Sequence, residues 1–314
     1  MQTTITNSVK IAADFIKKGE VAAFPTETVY GIGANAYDEK AVRKIFIAKG
    51  RPADNPLIVH IARKKDISVL AKEITPSAKK IISKFFPGPV TVILKKNEIV
   101  PDVVTAGLDT IAIRMPSSKI ARELIKLSGV PIAAPSANLS GSPSPTNFIH
   151  VLRDMRNKIP CVLIGPAAKY GLESTVIDCT GKFPVILRPG SVTLEQIKKL
   201  DKNAVYQKKV GKIKSPGQKY KHYAPKAIVK TITNYEVGIT KKKTKSAFIG
   251  LNKKYAKGFE VARICRSIEE YAKNLFSFFR ECDEMGIKTI YCEKVPEKGI
   301  GAAIMNRLSK AAVK

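Results

Sequence analysis

The chain has 314 residues, 44% of them hydrophobic, with 55 Lys and Arg against 26 Asp and Glu. That length suits one large domain or two ordinary ones and can bury a real core, which excludes general disorder. No apolar run approaches the ~18 residues of a membrane helix, the opening stretch MQTTITNSVKIAADFIKKGE lacks a signal-peptide core, and five Cys without a C-x-x-C give neither a disulfide framework nor a zinc site.

A reducing, cytoplasmic setting with no membrane partner is therefore expected. The net charge is +29, and it is unevenly spread. Residues 1–200 hold 29 basic and 16 acidic residues, whereas residues 201–314 hold 26 and 10. Such a field attracts polyanions, tRNA and nucleotides among them. A Lys-rich solvated surface explains the same numbers more plainly.

Residues 7–18 have helical spacing and stop at Gly19, and Val21–Phe24 reads as a short strand ended by Pro25. Asp38 caps a helix in which Val42, Ile45 and Phe46 recur at three and four residues. It ends at Lys49–Gly50, where Pro52 bars continuation. Further strands are expected at Leu57–Ala62, Val90–Leu94, Thr110–Met115, Pro131–Ala134, Cys161–Ile164 and Thr175–Asp178, with helices near 75–86, 117–128 and 147–157. This mixture implies an α/β domain over residues 1–200, built around one twisted sheet.

Residues 201–226 are rich in Lys, carry Pro216, Gly217 and Pro225, and read as a linker. Strands at 227–233, 246–251 and 288–292, with helices near 268–285 and 300–312, then make a small α/β domain over 227–314.

Several segments could carry chemistry. Pro25-Thr-Glu-Thr-Val-Tyr-Gly-Ile-Gly33 reads as a turn with hydrogen-bonding side chains and two glycines that would let backbone approach a ligand. Lys49-Gly-Arg51-Pro-Ala-Asp-Asn55 follows a helix end, where cations complement the dipole or point a charge and a planar fork at phosphates. His60 shares a strand face with Ile58, and a lone His there is more often a core residue than a catalytic one.

In Thr110-Ile-Ala-Ile-Arg114, Thr110, Ala112 and Arg114 lie on one face, so a buried Arg needs either an ion pair or an anion pocket. Ala134-Pro-Ser136-Ala-Asn138, with Ser144 beyond, puts hydroxyls and an amide at a strand end, the usual ligand position in α/β sheets. Ser174 and Arg188 repeat that theme.

Familiar catalytic templates are missing: no phosphate loop of the G-x-x-x-x-G-K-[ST] type, no G-x-S-x-G elbow and no H-E-x-x-H. Gly31-Ile-Gly33-Ala-Asn-Ala36 matches a dinucleotide fingerprint, and an NAD-dependent oxidoreductase would use it. A pure RNA-binding module is the other alternative, and it would explain the charge.

In order along the chain, PTETVYG (25–31), KGRP with NPL (49–57), TIAIRMP (110–116), APSAN (134–138), ESTV (173–176) and LRPG (187–190) resemble the threonylcarbamoyl-AMP synthases, the YrdC-like enzymes of tRNA modification. The segment SPGQKYKHYAP (215–225) resembles the linker of their long, two-domain form, and GIGAAIMNR (299–307) resembles the end of its extra domain. The resemblance implies a YrdC-like twisted mixed sheet with flanking helices, followed by a small Rossmann-like α/β domain.

It further implies synthesis of threonylcarbamoyl-AMP and pyrophosphate from L-threonine, bicarbonate and ATP, with Mg²⁺ accompanying the triphosphate. The product would pass to the tRNA threonylcarbamoyl transferase machinery. By the same resemblance Lys49, Arg51, Ser136 and Asn138 are the catalytic signature, and no residue is expected to ligate a metal. Threonine falls to Thr28, His60, Arg114, Ala134 and Ser174. ATP falls to Lys49, Arg51, Asn55, Thr110, Ser136, Asn138, Ser144, Arg188 and Tyr223. The linker is expected to close over ATP as a lid.

Overall fold

The computed structural model describes residues 1–207, 223–233 and 245–312. Most of the linker segment that resembles the long form, residues 215–222, lies outside them.

Eleven strands form the larger sheet: β1 (Thr4–Thr6), β2 (Ala22–Phe24), β3 (Gly31–Asn35), β4 (Ile58–His60), β5 (Val90–Lys95), β6 (Thr110–Arg114), β7 (Ile132–Ala134), β8 (Cys161–Leu163), β9 (Thr175–Asp178), β10 (Val185–Arg188) and β11 (Val205–Tyr206). Their order is β1-β8-β2-β3-β7-β4-β6-β5-β9-β10-β11. Parallel neighbours such as β4/β6 and β5/β9 alternate with antiparallel ones such as β4/β7 and β5/β6, so the sheet is mixed.

Period-two alternation feeds both faces. On β2, Ala23 joins one apolar cluster while Ala22 and Phe24 join another, and on β6 Ile111 and Ile113 part from Ala112 in the same way. Helices Val9–Lys17 and Lys119–Ser128 cover the Phe24 face with Ala12, Ile16, Leu124 and Ile125. Helices Glu39–Lys49, Pro76–Phe85 and Phe148–Met155 cover the other with Val42, Ile45, Ile81 and Val151.

Local chemistry sets the ends of these helices. Asp38 accepts from the Ala41 amide at 3.1 Å, and Gly50 closes the same helix at φ 58°. Lys49 and Arg51 are thereby delivered beside β4 and β7.

The small unit has four parallel strands, β12 (Ile228–Ile232), β13 (Ser246–Gly250), β14 (Val261–Ile264) and β15 (Thr289–Glu293), in the order β12-β15-β13-β14. Helices Ile268–Glu284 and Gly301–Ala311 supply Leu275, Phe276, Ile304 and Leu308 to its core. That core also takes in Val29 and Leu172 from the large unit, and Tyr223. The two units share apolar surface as well as a chain.

Some elements differ from expectation. Gly31–Asn35 is a strand because its glycines are demanded by packing: a Cβ at Gly33 would lie 2.3 Å from Ile132 Cγ2 and 2.8 Å from Phe24 Cε1. Val205 and Tyr206, expected in the linker, pair parallel with β10, so the large sheet extends past Leu200. Strands β1, β10 and β14 were not anticipated; β14 carries Arg263, which pairs with Glu281 at 2.6 Å.

Candidate active site

The ends of these elements converge on one cavity. The turn after β2 contributes Thr26, Thr28 and Val29, β3 contributes Gly31, the end of helix Glu39–Lys49 and the residues just past it contribute Lys49 and Arg51, and β4 contributes Ile58 and His60. Arg114 comes from β6. Ala134, Pro135, Ser136, Asn138, Ser140 and Gly141 follow along β7 and its loop, and Glu173, Ser174, Arg188 and Tyr223 complete the wall. Asn55, Thr110 and Ser144 do not line it, although all three are buried.

One end of the cavity is built on an ion pair. Arg114 Nη2 donates to Glu27 Oε1 at 2.6 Å, and both side chains are about 5% exposed. Glu27 Oε2 also accepts from the Ser118 amide at 3.2 Å. Burial alone would raise the Glu27 carboxyl, yet the guanidinium beside it holds it below the ordinary range. The sequence left an ion pair and an anion pocket open for Arg114, and the structure shows the ion pair, at the cavity wall.

His60 is buried against the edge of Phe24, with Nδ1 at 3.1 Å from the Ile58 carbonyl. A carbonyl can only accept, so Nδ1 carries the proton and Nε2 is left as an acceptor. Burial, and then the Arg114 charge, lower the His60 pKa to about 3. The ring is neutral at any physiological pH. Thr26 Oγ1 pins the adjoining turn, donating to the Val29 carbonyl at 2.5 Å and meeting Thr28 Oγ1 at 2.9 Å.

Lys49 Nζ donates to the carbonyls of Ser136, at 2.7 Å, and of Asn138, and approaches Asn138 Oδ1 at 3.4 Å. Burial, and next the Arg51 charge, press its pKa well below the usual lysine range. Asn138 is likewise engaged: Oδ1 accepts from Ser136 Oγ at 2.5 Å, while Nδ2 donates to the carbonyls of Leu139 and Ser142 at 2.7 and 2.9 Å. Lys49 and Asn138 therefore hold this loop, and Arg51 lines the cavity beside it. Arg51 holds the next loop through the Asn55 carbonyl at 2.9 Å.

Also on the cavity wall, Arg188 donates to the Ser174 carbonyl and to Ser174 Oγ, both at 3.1 Å, and Ser174 Oγ meets Thr91 Oγ1 at 2.8 Å. Glu173 accepts from Ser144 Oγ and from Arg307 of the small unit, the latter at 2.9 Å. The cavity as a whole offers cations, hydroxyls and backbone donors, and its carboxylate is already spoken for.

A family described as "Telomere recombination" (Sua5/YciO/YrdC) matches residues 14–190, and one described as "Threonylcarbamoyl-AMP synthase, C-terminal domain" matches residues 192–313. A threonylcarbamoyl-AMP synthase of Pyrococcus abyssi is 50% identical, covering 97% of this chain and 94% of its own length. The chain belongs to the threonylcarbamoyl-AMP synthase family. A Bacillus subtilis member is 42% identical over 98% of this chain and 94% of its own. The crystal structure of P. abyssi Sua5 complexed with L-threonine superposes with a TM-score of 0.92 at 45% identity, covering 99% of this chain and 98% of that one.

Membership in this synthase family fits the geometry and replaces the dinucleotide reading. Gly31-Ile-Gly33 lies within strand β3, not in a turn leading to a helix. Sequence reasoning overlooked Glu27, Glu173 and Thr91. The first two stand inside the PTETVYG and ESTV motifs, so a lone Glu in an otherwise uncharged motif was the available signal.

Proposed function

We propose that this cavity is where L-threonine, bicarbonate and ATP meet, and that the assigned residues divide between its two ends. Family membership makes the reaction threonylcarbamoyl-AMP synthesis: threonine, bicarbonate and ATP give threonylcarbamoyl-AMP, pyrophosphate and water. The threonine amine takes up the one-carbon unit as a carbamate, whose oxygen attacks the α-phosphorus of ATP as pyrophosphate leaves.

The observation that carries the reading is the pairing of Arg114 with Glu27 beside a neutral His60. Glu27 holds the guanidinium through Nη2 and the Gly88 carbonyl holds it through Nε, so among the described residues the hydrogen bonds of Arg114 use Nε and Nη2. Nη1 then serves the threonine carboxylate as a charge-assisted donor. Thr28, the backbone at Ala134, and Ser174 surround the rest of the amino acid, and Nε2 of His60 accepts from its hydroxyl or amine.

Arg51, Ser136 and Arg188 face the nucleotide, with Tyr223 reaching in from the linker end. Asn55, Thr110 and Ser144 stand behind them, Ser144 acting through Glu173. Lys49 and Asn138 hold the loop on which Ser136 rides. Gathering carboxylate, carbamate and triphosphate concentrates negative charge, so fixed cations and donors matter more than a nucleophilic side chain.

Among the described residues no three His, Cys, Asp or Glu side chains gather as a metal cage. Mg²⁺ would therefore be held by phosphate oxygens and water. We place the large unit at 1–207 and the small unit at 227–314, with Tyr223, at the end of the linker between them, against the nucleotide. The product serves tRNA modification next to the anticodon, in a reducing cytoplasm where the five free, buried cysteines stay thiols.

Pyrophosphate release tests this. It should require L-threonine and bicarbonate together, and L-serine should substitute poorly, by about 1–3 kcal/mol for the missing methyl. Equal turnover with any amino acid, or with none, would remove the assignment.

A further inference from the structure

Arg307 lies on the small unit, in the helix Gly301–Ala311, and is wholly buried. Three segments of the cavity wall converge on it. Its Nε donates to Glu173 Oε2 at 2.9 Å, and its Nη1 donates to the Pro189 carbonyl at 3.0 Å. Its guanidinium carbon lies 5.2 Å from the centre of the Tyr223 ring, and that ring also stacks on Phe276 at 5.3 Å. Two of these partners, Glu173 and Tyr223, line the cavity, and Pro189 adjoins a residue that does, Arg188. Glu173 also accepts from Ser144 Oγ.

A buried ion pair is an expensive way to dock two units, because well-packed apolar side chains hold as well or better. Here the expense is greater still, since Nη2 of Arg307 is buried without a hydrogen-bond partner among the described residues. Docking is already supplied by shared apolar surface at Val29, Leu172 and Phe276. A second link, Arg280 to Asp154 at 2.7 Å, joins the units elsewhere. Stability alone does not account for Arg307.

We infer that Arg307 is a positioning residue for the nucleotide half of the cavity: by fixing Glu173, Pro189 and the Tyr223 ring it sets Ser144, Arg188 and Tyr223 for ATP. This rests on the reading above, that Arg188 and Tyr223 face ATP with Ser144 behind them. The small unit thus enters the reaction through nucleotide binding. The threonine half has braces that Arg307 does not touch: Glu27 holds Arg114, and Thr91 holds Ser174 alongside Arg188.

The test uses the full-length chain with Arg307→Met, which keeps the length and loses the charge, and Arg307→Lys, which keeps the charge and loses the fork. A non-hydrolysable ATP analogue and L-threonine are titrated separately by calorimetry, alongside steady-state kinetics. Arg307→Met should weaken the analogue at least ~10-fold and raise the KM for ATP similarly, with L-threonine affinity within about twofold of the parent. Arg307→Lys should recover part of the loss. Adding Glu173→Gln to Arg307→Met should cost little more, as the two act as a unit.

Unchanged nucleotide affinity in a folded Arg307→Met chain would overturn the inference, and so would equal weakening of both ligands, which general loosening would give. Should the Met variant not fold, Arg307→Lys decides by the same nucleotide-against-threonine split. If the parent chain bound neither ligand, the functional reading would fall, and the inference with it.

Discussion

Two buried Arg–Glu pairs stand at the cavity, and they differ in what they join. Arg114 and Glu27 sit 2.6 Å apart, Arg307 and Glu173 2.9 Å, and in both pairs the side chains are nearly dry. Glu27 and Arg114 both belong to the large unit, the first in the turn after β2 and the second on β6, whereas Arg307 crosses from the small unit to reach Glu173. The first pair builds a fixed cationic edge inside one folding unit. The second makes a wall of the cavity depend on whether another unit is docked. The same chemistry serves as a component in one place and as a coupling in the other.

The largest effect should come from breaking the internal pair. Glu27→Ala leaves Arg114 buried without a counter-ion, which should cost about 3–5 kcal/mol of stability. Denaturant unfolding checks this, and a loss below about 1 kcal/mol would show that Arg114 is solvated through the cavity.

Removing the whole coupling sharpens the contrast. A chain ending at Gln207 keeps all eleven strands of the large sheet. It should remain folded while losing most synthase activity, because Glu173 loses Arg307, and Val29 and Leu172 lose their cover. Full activity and product yield from that chain would remove any role for the small unit in the chemistry.

A smaller change probes the same coupling at Tyr223. Tyr223→Phe keeps the ring over Arg307 and loses the hydroxyl that bonds to Arg188. It should weaken nucleotide binding by about 0.5–1.5 kcal/mol, and Tyr223→Ala should weaken it further because the ring contact goes too. Equal losses in the two variants would mean that the ring contributes nothing.

Acid separates the two corners last. Glu27 and Glu173 are both held below their ordinary range, so each pair contributes fully above that range and fails only as pH falls through the lowered native values. His60 acts earlier. Its native pKa of about 3 lies below the ordinary 6.5, so the unfolded chain binds the proton first and stability declines as pH falls from 6.5 towards 3. The decline belongs to the Arg114 corner, and His60→Gln should make it shallower between pH 6.5 and pH 4.5. Identical slopes of unfolding midpoint against pH in parent and variant would contradict the buried neutral ring.

What the sequence revealed follows from how far each signal reaches. The face shared by Ala112 and Arg114 was legible because strand alternation is local, and so was the cap at Asp38. Glu27 as the partner of Arg114 was not, since 87 positions separate them, and Arg307 and Glu173 lie 134 apart. The glycines at 31 and 33 misled because low strand propensity normally argues for a turn. Here Phe24 and Ile132 occupy the space a side chain would need, and a strand can pass only as glycine. Lys49 read as a phosphate ligand from its place at a helix end; its bonds to two carbonyls could be seen only once the Ser136–Asn138 loop was in position.

The account stands most directly on the cationic edge at Arg114. The deciding measurement is calorimetric titration of L-threonine into the full-length chain and into Arg114→Ala, with folding of the variant verified first. The parent should bind L-threonine, and the variant should lose about 1.5–3 kcal/mol or more of that binding while its affinity for a non-hydrolysable ATP analogue stays within about twofold. Unchanged L-threonine affinity in a folded Arg114→Ala chain would place the amino acid elsewhere and contradict the division of the cavity into a threonine end and a nucleotide end.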